Sequence, residues 1–109
     1  MGRKALGDTT MSLEVQVHEF AKFMDRACPN WELGMDADRL DIASDKKCLF
    51  GQLYGSFKRG CKELGLSLEQ AIAFGLHAPA TPGTDQRQYY AVSNRAWVRE
   101  IECRMPAFV

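Results

Sequence analysis

Apolar side chains recur at helical spacing in four stretches of this chain. Leu13, Val17, Phe20, Ala21, Met24 and Cys28 fall three or four residues apart, which predicts a first helix from about Ser12 to Cys28. The opening run Leu13-Glu14-Val15-Gln16-Val17 also alternates as a strand does, so the start of that helix stays open. Pro29 and Asn30 close it. From Trp31 to Ser44 the pattern is irregular. Trp31, Leu33, Met35, Leu40 and Ile42 supply apolar anchors between Asp36, Asp38 and Asp41, which predicts an acidic connector packed across the helices.

The second helix is expected over about Asp45 to Leu64, with Ser44 or Asp45 as its N-cap. Leu49, Phe50, Leu53, Tyr54, Phe57, Cys61 and Leu64 share one broad arc of its wheel, and Gly65 suits the C-terminal position that favours positive φ. A short third helix follows to about Phe74. Ser67 and Gln70 form a capping-box pair, Leu66 and Ala71 stand at the staple positions, and Gly75 ends the helix. Pro79, Pro82 and Gly83 mark a loop. The last helix ends near Arg104 or Met105 and starts either at Asp85, with Gln88 three residues on, or at Ser93. Tyr90, Trp97, Val98, Ile101 and Met105 share its core face. The expectation is an all-α fold: one domain over residues 11–109, a bundle of about four helices behind a flexible tail at 1–10. Met11 is an alternative start to Met1.

Composition narrows the function. A chain of 109 residues, 46% hydrophobic and 26% charged, holds one modest core and is not disordered in bulk. Fourteen basic and fourteen acidic residues leave no net charge. Phosphate-driven nucleic-acid binding needs a basic excess, so this balance argues against it while leaving room for a local patch. No apolar run approaches the roughly 20 residues that span a bilayer. No apolar stretch follows Arg3 and Lys4 as in a signal peptide, so the expected location is the cytosol, with no membrane partner. There Cys28, Cys48, Cys61 and Cys103 are expected as buried free thiols. No two cysteines have zinc-ligand spacing and neither His18 nor His77 completes a pair, so no metal or cofactor is expected.

Four constellations are candidates for function. Gly51 and Gly55, one turn apart with Cys48 beside them, fall away from the apolar arc of the second helix. Each costs such a helix about 1 kcal/mol relative to Ala. Another backbone is therefore expected to approach there, from the acidic connector, the last helix or a second protein, and a homodimer through this face stays open. Residues 61 to 74 resemble a helix-turn-helix in the Gly65 turn and in Leu64, Leu66, Ala71 and Phe74. Yet the would-be recognition helix starts with Leu68, Glu69 and Gln70, carries no Lys or Arg, and Gly60 stands where an apolar residue is usual. Arg95 and Arg99 form a basic stripe diluted by Glu100 and Glu102. It reads either as a solvated face or, with the third and last helices adjacent, as the source of the phosphate contacts that the third helix lacks. Neither histidine is flanked by a nucleophile arrangement, and no phosphate-cradling loop or calcium loop is present, so enzyme activity is not expected.

Several runs are nonetheless distinctive. They are Leu40-Asp41-Ile42-Ala43-Ser44, Cys48-Leu49-Phe50-Gly51-Gln52-Leu53-Tyr54-Gly55-Ser56-Phe57, Leu64-Gly65-Leu66, and Tyr89 or Tyr90 with Trp97-Val98-Arg99-Glu100-Ile101. Together they resemble small uncharacterised proteins of actinobacterial phages and their hosts, over about residues 31 to 104. The resemblance transfers no activity and no site residue. It implies a phage accessory protein in the host cytosol that binds a host or viral protein. The leading expectation is thus a non-enzymatic protein-binding factor that modulates or inhibits a partner, with Gly51, Gly55, Arg95 and Arg99 as candidate contacts. A DNA-binding regulator built on the helix-turn-helix corner and a minor structural virion component are the alternatives.

Overall fold

The Ser12 hydroxyl accepts the Val15 N–H and caps helix α1, Leu13–Ala27. We describe a computed structural model covering residues 12–80, 82–83 and 85–105. The tail expected at 1–10 lies outside the described residues. The fold is all-α. After α1, two 3₁₀ turns, Trp31–Gly34 and Ala37–Arg39, form the connector. Helices α2 (Leu49–Tyr54), α3 (Phe57–Leu64), α4 (Leu68–Ala73) and α5 (Gln86–Arg104) follow.

Helices α1 and α5 form the frame. Val17, Phe20, Ala21 and Met24 are the buried stripe of α1, and Ala96, Trp97 and Ile101 are the apolar buried positions of α5. The two helices run in the same sense, because Leu13 and Ser93 both border Gly75 at one end while Asp25 meets Arg104 at the other. Phe20 sits at the centre, edge-on to Trp97 at 6.1 Å and to Phe50 at 6.3 Å. Trp31 closes the far end, edge-on to Trp97 at 5.8 Å. The connector contributes Trp31, Met35, Leu40 and Ile42 to this core as expected. Leu33, expected as an anchor, is instead 60% exposed, because the first 3₁₀ turn points it away from the side that buries Trp31.

The single second helix expected over 45–64 is two helices. Gly55 takes φ +99° and ends α2. Ser56 is extended and caps α3 through its hydroxyl, which accepts the Arg59 N–H at 3.1 Å. Residues 45–47 are a turn, held against the break: the Asp45 carboxylate accepts the Phe57 N–H at 3.0 Å, and Lys46 donates to the Gly55 carbonyl at 3.1 Å. The α2 cap is neither Ser44 nor Asp45 but the Cys48 thiol, which accepts the Gly51 N–H at 3.2 Å. The α3 helix folds back on α2 so closely that Gly60 rests on the Phe50 side chain, and any β-carbon there would collide with it.

Local signals were followed elsewhere. Ser67 and Gln70 form the reciprocal capping box of α4. The last helix takes its longer form, with Asp85 accepting the Gln88 N–H at 3.1 Å. Ser93 does not cap, since it is buried mid-helix and donates its hydroxyl to the Gly75 carbonyl. Trp97 Nε1 donates to the same oxygen at 3.2 Å. Gly75 holds φ +78° against the Val17 side chain, where a β-carbon would clash. This one peptide thus pins the end of α4 onto both frame helices.

Candidate functional site

The four residues singled out by sequence do not form one site. Gly51 is buried, and a β-carbon on it would collide with the backbone of Asp45 and Lys46. Its close approach is to the turn beside its own helix. Gly55 is exposed at the α2–α3 junction, with open space around it. Because the helix breaks there, the two glycines share no helical face. Arg95 and Arg99 are exposed on α5 one turn apart. Arg99 borders a shallow groove with Glu14, Val15 and His18 of α1. Neither glycine lies in that groove.

A different surface carries a strongly apolar recess. Phe20 and Phe23 of α1, Leu64 and Leu66 of the α3–α4 corner, and Phe74 after α4 enclose a groove of about 280 Å³. Its floor is a ladder of rings: Phe23 stacks on Phe20 at 5.3 Å, and Phe20 stacks on Phe74 at 4.6 Å. Phe20 is buried, whereas Phe23 stays 36% exposed. The corner is rigid where it lines the groove. Gly65, at φ +68°, and Leu66 return their N–H groups to the α3 carbonyls of Lys62 and Cys61, closing that helix. Glu19 and Gln70 form polar lips. Gln70 spends its side-chain oxygen on the Ser67 N–H, which leaves its amide N–H₂ to donate. Sequence reasoning gave Phe20 and Leu64 to the apolar faces of their helices and Leu66 and Phe74 to the helix-turn-helix pattern, and passed over Phe23. Its signal was an aromatic one helical turn beyond Phe20 on the flank of the α1 stripe.

The chain matches no family model, no curated protein and no solved structure. The helix-turn-helix-like corner exists as α3–Gly65–α4, but α4 has six residues. At 1.5 Å per residue it is about 9 Å long. Its first turn exposes Leu68, Glu69 and Gln70.

Polar side chains concentrate instead where the C-terminal ends of α1 and α5 meet. Arg104 grips Asp25 with two bonds, Nε to Oδ1 at 2.8 Å and Nη2 to Oδ2 at 2.9 Å. Its third arm, Nη1, reaches Glu100 at 2.7 Å. Glu100, 8% exposed, also holds His18 Nδ1 at 3.0 Å. Trp31 Nε1 donates to Asp25 at 2.9 Å, and the guanidinium lies 5.5 Å from the Trp31 ring centre. The Arg104 hydrogen bonds hold the Asp25 carboxyl below its ordinary 3.8, and the Asp25 carboxylate in turn raises Arg104. The charges are mutually satisfied, so the network fastens the connector and the two frame helices together.

The four cysteines are free thiols. Cys48 is buried, and desolvation pushes its thiol up. Cys28 and Cys61 are half-buried and Cys103 is exposed, so the expectation of four buried thiols holds in full only at Cys48 and fails outright at Cys103, on the solvent side of α5. Among the described residues no three His, Cys, Asp or Glu side chains are placed to hold a metal ion. No helix of the described residues is long and apolar enough to cross a membrane.

Proposed function

We propose that this protein is a non-enzymatic protein-binding module and that its partner inserts an apolar ridge, such as one face of a helix, into the Phe20–Phe23–Phe74 groove. The observation that supports this reading is the half-open ring ladder. Phe23 keeps 36% of its surface in water at the mouth of a recess walled by Leu64 and Leu66. Aromatic anchors in such pockets carry most of the energy of protein interfaces. The lips match the same use. Glu19 accepts and Gln70 donates on either side of an otherwise apolar floor, the pattern of a polar rim around a dry centre. The resemblance to small phage proteins supports a host or viral protein as the partner. Gly51 offers no contact surface in this reading, and Arg95 and Arg99 serve as outlying solvated charges.

The test is comparative capture from host lysate with the whole chain as bait. A protein held by the wild type and lost with Phe23→Asp supports the groove. A partner retained equally by Phe23→Asp, with the variant folded, refutes it.

A further inference from the structure

A second cleft lies away from the ring ladder, where the loop at 42–45 meets α3, α5 and the segment after α4. It measures about 180 Å³, with Ile42, Phe57 and Leu76 as apolar walls and Ser44, Asp45, His77 and Tyr90 as its polar groups. The walls are firmly placed. The Ile42 N–H donates to Asn94 on α5 at 2.9 Å, and the Phe57 ring packs 5.5 Å from the His77 ring.

What matters is which hydrogen-bonding capacity the fold leaves unspent. His77 Nδ1 lies 2.7 Å from the Ala78 carbonyl oxygen. A carbonyl only accepts, so Nδ1 carries a proton, and in that tautomer Nε2 is the acceptor. Tyr90 Oη accepts the Ala78 N–H at 3.1 Å, which leaves its own O–H to donate. Ser44 Oγ accepts the Lys47 N–H at 3.2 Å and likewise keeps its O–H. Asp45 commits one carboxylate oxygen to the Phe57 N–H at 3.0 Å, while its other oxygen meets only the exposed Lys46 ammonium, 3.9 Å away. Two hydroxyl donors and two acceptors therefore remain around one apolar recess. An apolar recess edged by a few polar groups has, on a smaller scale, the make-up of a small-molecule site.

We propose that this cleft binds a primary carboxamide carried on a compact apolar body. A carboxamide head offers N–H₂ donors to Asp45 and His77 and a carbonyl oxygen to Tyr90 and Ser44, so it matches both halves of the inventory. A carboxylate lacks the donors and meets the Asp45 charge, and the nearest ammonium, that of Lys46, is outside the lining and donates to the Gly55 carbonyl. A hydrocarbon would leave the remaining donor and acceptor capacity of these groups unmet.

Titration of the full-length protein with benzamide, read by the ring resonances of His77 and Tyr90, tests this directly. Saturable shifts are expected in the low-millimolar range, with benzoate and methyl benzoate producing much weaker ones. Acetylglutamine N-methylamide serves as the peptide-borne form of the same head group. Binding by either carboxamide supports the assignment, and the tighter of the two names its source. Asp45→Asn keeps an oxygen for the Phe57 N–H but turns the second acceptor into a donor, so benzamide affinity should fall about fivefold, the worth of one hydrogen bond. No shift with either carboxamide, benzoate binding as well as benzamide, or tighter binding by benzamidine would each overturn the proposal. The Phe23 groove is untouched by these arms, so the two readings stand or fall separately.

Discussion

Gly55→Ala distinguishes a continuous helix over 45–64 from the broken one by the sign of a single number. If Gly55 were a mid-helix residue, alanine would stabilise the protein by about 1 kcal/mol, because it restricts the unfolded chain and helps the helix. Gly55 instead sits at φ +99° with its N–H bonded to the Gly51 carbonyl at 3.0 Å. A β-carbon meets no neighbour there, so no clash confuses the measurement. What remains is the backbone cost of placing an L-residue in the left-handed region, about 1 to 2 kcal/mol. The expected result is therefore destabilisation by that amount, a shift of roughly 5 to 10 °C downward in Tm for a domain of this size. Urea unfolding followed by the fluorescence of Trp31 and Trp97, both buried, reads it out. Gly55→Asn should cost less, since asparagine tolerates this region better. Stabilisation by Gly55→Ala would refute the break and restore the single long helix.

Three further outcomes follow from the same structure. Ser93→Ala removes one of the two donors to the Gly75 carbonyl and should lower stability by about 1 kcal/mol in urea unfolding, with Trp97→Phe costing at least as much because it also leaves a void. The Asp25 carboxyl is held down by Arg104 in the folded state, so its contribution is complete above the unfolded value near 3.8 and fades as pH falls through the lower folded value; Asp25→Asn should flatten the acid limb of stability against pH, and an unchanged limb would remove Asp25 from that role. Thiol labelling of the native protein should modify Cys103 first and Cys48 only on unfolding, as their exposures dictate.

How far the fold could be read from sequence depends on how local each signal is. The caps were legible because they are chemistry between near neighbours: Ser67 with Gln70, Asp85 with Gln88, and Gly65 after Leu64. The α1 stripe was legible because four buried side chains repeat on one face. The break at Gly55 was not, because Phe50, Tyr54, Phe57 and Cys61 stay in phase across it and a wheel cannot register a single left-handed residue. Gly51 did signal close approach and Gly55 signalled it falsely, while Gly60 read only as a departure from the helix-turn-helix pattern, because its contact with the Phe50 ring exists only once the break folds α3 back. Exposure was the least legible property. Leu33 and Phe23 look apolar enough for a core, and only the packing of the connector and of the α3–α4 corner leaves them at the surface. The Asp25–Arg104–Glu100–His18 network spans residues up to 82 apart in the chain, a separation at which no spacing rule operates.

The groove is the centre of this account, and partner affinity measured side by side for two variants tests it most directly. With the captured partner in a calorimeter, Phe23→Asp should weaken binding at least tenfold, consistent with loss of an aromatic anchor worth about 2 kcal/mol or more. The double variant Arg95→Glu/Arg99→Glu, on another face, should bind within a factor of about two of the wild type, as expected for charges outside the contact. Full affinity in Phe23→Asp together with loss in the arginine variant would contradict the account and move the binding site to the exposed face of α5.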